Sequence, residues 1–215
     1  MPRAIDCIEL LAIAQAAWRV NGNELIQASK DGRIPNGTLV KETAYNKVPT
    51  VDVTDEDRTQ AAAMREYISQ RVMLSKLTGR SLSEFVNKIN AIIVDDKVNP
   101  RNAGLIAWAP KVYSDLQKSD AAQQEFGLLA LTSKYIGAVG SKVELEFHTI
   151  TKRWNKDYNC FRYSGHDGNG NLVGFLSKND YPAVVKIRAR VKTQETGRLS
   201  GGKTTYLNYT KPVKE

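Results

Sequence analysis

The sequence predicts an α+β protein in which a mainly helical region, residues 1–135, precedes a small β-barrel, residues 136–215. Three observations predict it. Up to about Leu131 the apolar residues recur at three- and four-residue intervals, the period of an amphipathic helix. Beyond Ser141 the rhythm changes to alternation. Val185, Ile187, Ala189 and Val191 point one way along a strand, and Lys186, Arg188, Arg190 and Lys192 point the other. The charge follows the same division: residues 141–215 hold 14 Lys+Arg against 7 Asp+Glu, and residues 1–140 hold 17 against 16, so the formal +8 lies almost wholly in the barrel segment.

These quantities bound the function. A chain of 215 residues can bury a substantial core in one or two domains. A basic module favours polyanions through counterion release, with nucleic acid the commonest partner. The two cysteines, Cys7 and Cys160, have no Cys/His cluster around them, so neither a disulfide framework nor a zinc site is indicated, and no cofactor is expected. Ile8 to Trp18 is apolar, but Asp6 and Glu9 interrupt it and only Arg3 precedes it, so it does not read as a targeting signal. No run approaches the ~20 apolar residues that span a bilayer. The expectation is a soluble, cytoplasmic protein with no membrane partner.

In the helical region, Ala4 to Val20 carries Ile5, Ile8, Leu11, Ala12, Gln15 and Trp18 at helical spacing, and Asn21-Gly22-Asn23 ends it. Gly22 to Val53 is rich in turn formers, among them Asp31-Gly32 and Pro35-Asn36-Gly37, and reads as two short strands or an ordered loop. Thr54-Asp55-Glu56-Asp57 starts a helix that runs to about Leu77, with Ala63, Tyr67, Val72 and Leu74 inward and Thr78-Gly79 closing it. Ser81-Leu82-Ser83-Glu84 reads as a capping box, opening a helix through about Val94 with Phe85, Ile89, Ile92 and Ile93 inward. Asn102 to Lys118, bent at Pro110, and Ala121 to Leu131 complete the helices. This region offers self-association into a homo-oligomer, docking of a partner, or an extension of the barrel's core.

Five strands follow. Val143 to about Arg153 alternates Val143, Leu145 and Phe147 with Glu144, Glu146 and His148, and is longer than the usual ~5–6 residues, as a bent first barrel strand would be. Tyr158 to Ser164 and Asn171 to Ser177 form a hairpin about His166-Asp167-Gly168-Asn169-Gly170, whose Asp-Gly and Asn-Gly pairs supply positive φ. A short connection, Lys178 to Ala183, leads to the basic fourth strand, Val184 to Thr193. A glycine-rich loop, Thr196 to Gly202, then leads to the fifth, from Lys203 to about Val213. A long first strand with two hairpins is the pattern of an OB-like barrel.

The run Tyr135-Ile136-Gly137-Ala138-Val139-Gly140-Ser141-Lys142, the Asp167-Gly168-Asn169-Gly170 turn with Leu172-Val173-Gly174-Phe175, and Gly201-Gly202-Lys203-Thr204-Thr205 together resemble OB-fold modules of phage-type single-stranded DNA-binding and replication-associated proteins. The resemblance covers the last third of the chain. Two departures stand out: the chain ends Thr210-Lys211-Pro212-Val213-Lys214-Glu215 rather than in an acidic tail, and the connection after the third strand is too short for the helix many such modules place there.

The resemblance implies single-stranded DNA as partner, with RNA the other candidate, held by a cationic track and stacking aromatic rings. The candidates are Lys152, Arg153, Trp154, Lys156 and Tyr158 about the first loop; Arg162 and Phe175 on the hairpin; Lys186, Arg188, Arg190 and Lys192 on the fourth strand; and Arg198, Lys203 and Tyr206 about the last loop. Phe161 and Tyr163 share one strand face and are assigned to the core.

Gly197-Arg198-Leu199-Ser200-Gly201-Gly202-Lys203-Thr204 satisfies the text of a P-loop. A P-loop must run into a helix, and the eleven residues after Thr204 read as a strand and tail, so nucleotide hydrolysis is a distant third reading. His148 and His166, the only histidines, have no recognisable nucleophile beside them. Asp95-Asp96 and Asp55-Glu56-Asp57 read as helix-end carboxylates. The sequence therefore points to a non-catalytic single-strand binder of phage-type replication or recombination. The alternative is a phage structural or assembly protein whose barrel binds protein.

Overall fold

A computed structural model describes residues 4–46, 50–197 and 200–213. The chain forms two compact units, Met1–Gln117 and Lys118–Glu215.

The first unit is helical. Strand β1 (Ile5–Asp6) pairs antiparallel with β2 (Lys97–Val98) and leads into α1 (Cys7–Val20). Helix α1 buries Cys7, Leu10, Leu11, Ala12, Ile13, Ala14, Ala16 and Ala17, so it is enclosed on nearly all sides rather than along one stripe. Its small alanines let its neighbours approach closely.

Helix α2 (Asn36–Tyr45) replaces the expected strands or loop. Pro35 sets φ at −54° ahead of the first turn. The buried Asn36 side chain accepts hydrogen bonds from Ile26 N at 2.8 Å and Asn21 Nδ2 at 2.9 Å, so an asparagine that reads as a turn former is a fastener.

Helix α3 (Asp55–Thr78) starts where expected, capped by Thr54, and Gly79 closes it at φ 66°. Its buried stripe is Ala61, Met64, Ile68, Val72 and Ser75, whereas Ala63 and Leu74 are exposed. The apolar phase starts at Ala61, and Ala63 and Leu74 lie off it. Helix α4 (Glu84–Ile93) buries Ile89 and Ile93, and its cap is Ser83, whose hydroxyl accepts from Val86 N, rather than Ser81.

After a 3-10 turn at Pro100–Asn102 come the short α5 (Ala103–Ile106) and a single long α6 (Ala109–Ala130). Pro110 lies in the first turn of α6, where its missing N–H would be unpaired anyway, so it stands at the start of a helix rather than in the interior of one. The boundary between the two units falls within α6. Among the described residues no helix is long and apolar enough to cross a membrane.

The second unit carries a closed five-stranded barrel in the order β3-β4-β5-β7-β6, an OB-like arrangement. The strands are β3 (Lys142–Asn155), β4 (Cys160–Asp167), β5 (Leu172–Ser177), β6 (Val184–Thr196) and β7 (Lys203–Pro212). All neighbours are antiparallel except β5 and β7, which run parallel. The core holds Phe147, Tyr163, Phe175 and Tyr181 with Val173, Ile187, Ala189, Val191 and Leu207. Tyr163 and Phe175 stack at 5.0 Å, and Phe147 meets Phe175 edge-on at 4.8 Å.

Chain segments close the barrel's ends. At one end Tyr181, in the short connection between β5 and β6, is buried and donates its hydroxyl to Thr210 O, while Tyr163 Oη donates to Asn179 O. At the other, Ser133 Oγ donates to Lys203 O and accepts from Leu172 N, and Ile136 N donates to Thr205 Oγ1. The segment before β3 thus seals one end and the β5–β6 connection the other.

Candidate nucleic-acid interface

Alternation along β3 and β4 divides the residues about the first loop between two faces. Arg153 lies directly opposite Arg162, while Lys152 pairs with Tyr163 and Trp154 with Phe161. Lys152, Trp154 and Phe161 therefore share the side that carries the core lower down. There Trp154 meets Phe161 edge-on at 4.8 Å and Lys152 Nζ lies 4.5 Å from the Phe161 ring centre. Lys152 is also paired with Asp180, whose hydrogen bond raises its pKa above the ordinary lysine value. Trp154 remains half exposed. Lys156 and the exposed Tyr158 lie in the β3–β4 turn, which Asn159 closes at φ 47°.

The outer face of β4, β5 and β7 forms a groove of about 630 Å³. Arg162 and Ser164 of β4, Gly174 and Leu176 of β5, and Tyr206 of β7 line it, with Lys192 of β6 and Phe126 of α6 at its sides. Gly174 makes room for the Tyr206 ring: a Cβ there would lie 3.0 Å from a ring carbon. Arg153, on the face of Arg162, adds a second guanidinium, and neither arginine has a hydrogen-bond or ion-pair partner among the described residues. Glu195 is the one carboxylate lining the groove among the described residues.

The cations of β6 are not equivalent. Arg188 donates twice to Glu144 Oε2, at 3.0 and 3.2 Å, and Lys186 lies 3.8 Å from the same carboxylate. Arg190 and Lys192 are exposed and have no such partner among the described residues. Register adds two cations that sequence reading missed, Lys142 opposite Arg190 and Lys211 opposite Arg188. No local pattern marks them, because each belongs to the site only through its cross-strand neighbour.

The remaining candidates separate. Phe175 is corrected: it is 4 % exposed and lies between Tyr163 and Phe147 in the core, because its register partner is the inward-facing Tyr163. Phe161 packs against the core, as expected, and is half buried at the barrel mouth beside Trp154. Lys203 is exposed at the start of β7, with Nζ 5.9 Å from the Tyr135 ring. Arg198 lies outside the described residues. After Gly-Lys-Thr the chain forms β7, so no helix N-terminus stands where a P-loop needs one.

His148 and His166 are cross-strand partners with rings stacked at 4.9 Å; His148 Nε2 is 2.8 Å from Glu146 and His166 Nε2 is 3.8 Å from Glu125. Among the described residues no group of three or more His, Cys, Asp or Glu side chains is arranged to hold a metal. Comparison with protein-family models, with curated proteins and with solved structures gave no match.

Proposed function

We propose that the barrel binds single-stranded nucleic acid, DNA in the first instance, non-catalytically and with little sequence preference, along the outer face of β4, β5 and β7. The observation that carries this reading is the directly opposed pair Arg153 and Arg162 beside the groove. Like charges opposite one another on a sheet destabilise it. On β6 the same problem is met by Glu144, but no carboxylate pairs with Arg153 or Arg162 among the described residues. A phosphate backbone supplies the missing charge. Lys192, Arg190 and Lys142 extend the cations from the groove toward β3, and Tyr206 offers a ring within it. We place this activity in phage-type replication or recombination, in the cytoplasm.

The test is fluorescence anisotropy of labelled oligo-dT and a matching duplex at about 50 and 200 mM salt, the range over which phosphate contacts show. Preferential, salt-sensitive binding of the single strand, reduced in Arg153→Ala/Arg162→Ala, is the expected result. No binding to either nucleic acid at the lower salt overturns the reading.

A second reading, a structural or assembly protein, has one observation of its own. In the helical unit Met73, Leu74 and Leu77 of α3 and Val94 after α4 are exposed, at 57, 44, 75 and 58 %. Exposed apolar surface of this kind favours protein contact. Light scattering coupled to size-exclusion chromatography tests it, with stable oligomers indifferent to DNA as its signature.

A further inference from the structure

Along β7 the side chains at Thr205 and Leu207 face the barrel core, at 0 and 3 % exposure, and alternation would send Tyr209 after them. Instead Tyr209 is 77 % exposed and lines the groove. The cause is a bulge: Arg190 pairs with Asn208 and Arg188 with Lys211, so β7 advances three residues while β6 advances two. Tyr209 takes this bulge at φ 54°, a conformation that glycine adopts freely and a bulky side chain rarely does. The bulge is held from inside, because the buried Tyr181 donates its hydroxyl to Thr210 O at 3.1 Å.

A strained backbone that turns a large ring away from the core gains nothing for packing. Such strain persists where the surroundings over-determine it, and it clusters at binding sites. The ring stands in the same groove as Arg162 and Lys192, which leaves it beside the places where phosphates would lie. We propose that Tyr209 is a stacking platform for a nucleobase of the bound single strand, turned outward by the β7 bulge. This inference rests on the single-strand reading above and specifies which ring that reading uses. Tyr206, whose ring lies over Gly174, is a second ring within the groove, and Tyr209 is the more exposed of the two.

The test compares full-length wild type with Tyr209→Gly and Tyr209→Phe by urea denaturation and by anisotropy, using oligo-dT and an abasic oligonucleotide of equal length. Tyr209→Gly is expected to raise the denaturation midpoint, since glycine relieves the backbone, while weakening oligo-dT binding by about ten-fold, the order of one lost stacking contact. Its affinity for the abasic strand and its salt slope stay at the wild-type values, because the phosphate contacts remain. Tyr209→Phe keeps the ring and binds as wild type.

A lowered midpoint in Tyr209→Gly overturns the inference by showing that the ring is structural. Unchanged oligo-dT affinity in a wild type that does bind overturns it too and leaves the single-strand reading standing. Failure of the wild type to bind any strand removes both.

Discussion

Asp57 offers the most direct test of how the helical unit is fastened. Its side chain is 3 % exposed, and its carboxylate accepts from Thr54 N at 2.9 Å, Thr54 Oγ1 at 2.9 Å, and Arg19 at 2.9 and 3.2 Å. One group thereby closes the capping box of α3 and ties that helix to the end of α1. Losing a cap costs about 1 kcal/mol. The bond to Arg19 is discounted for solvent, since that guanidinium is 46 % exposed, and contributes up to about 1 kcal/mol. Stranding the Thr54 donors adds to the loss. Asp57→Ala is therefore expected to lower stability by about 2–3 kcal/mol.

Urea denaturation in a Trp154→Phe background would measure it, because Trp18 and Trp108 then report the helical unit alone. The pH dependence gives an independent check. Burial acts to raise the Asp57 pKa, but the hydrogen bonds from Arg19 and Thr54 outweigh it and hold the carboxyl below its ordinary value of 3.8. A depressed folded-state pKa means a contribution that is complete above the ordinary value and is lost as pH falls through the folded one. The stability gap between wild type and Asp57→Asn should hold from neutral pH down to about pH 4 and close below it. A loss under about 0.5 kcal/mol in Asp57→Ala, of the size expected for an ordinary surface change, would refute the reasoning.

Three further predictions concern other sites. Gly165→Ala should cost about 3 kcal/mol or more, because its Cβ would clash with His148 O and force β3 from β4; near-native stability by urea denaturation would contradict that packing. Gly174→Ala displaces the Tyr206 ring while leaving the groove's cations in place, so it should change stability by about 1 kcal/mol and weaken oligo-dT binding; unchanged affinity would remove Tyr206 from the interface. Cys7 is fully buried, and burial pushes its thiol up to about 11 despite Arg65 nearby, while Cys160 is 5 % exposed. Neither thiol should react with a disulfide reagent at pH 8 before unfolding, and rapid native labelling of Cys7 would contradict its packing.

The parts of the fold legible in the sequence are those whose signal is local. The alternation of Val185, Ile187, Ala189 and Val191 describes β6, and Thr54 with Asp57 describes the start of α3. Where several uses of one residue compete, local reading fails: Asn36 reads as a turn former until Ile26 N and Asn21 are seen to need its oxygen. The candidate site depends still more on pairing. Arg153 and Arg162 are both visible in the sequence, but that they face one another, that Glu144 serves Arg188, and that Phe175 stacks on Tyr163 follow from register. Tyr209 escaped notice because a bulge cancels the alternation on which strand reading relies.

The place of β7 in the barrel has a consequence for the order in which the protein can be made. This strand, the last of the five in sequence, lies between β5 and β6 and hydrogen-bonds to both. While the chain is being synthesised, β3, β4, β5 and β6 can pair as far as their own contacts allow, but the barrel cannot close until Lys203–Pro212 has left the ribosome. Until then β5 and β6 each present an unpaired edge, the kind of surface that recruits other chains. The helical unit, made first and held by contacts within itself, has no such wait. A nascent chain therefore carries a finished helical unit and an open sheet, and the interval before Lys203–Pro212 emerges is the one in which a chaperone would protect it most.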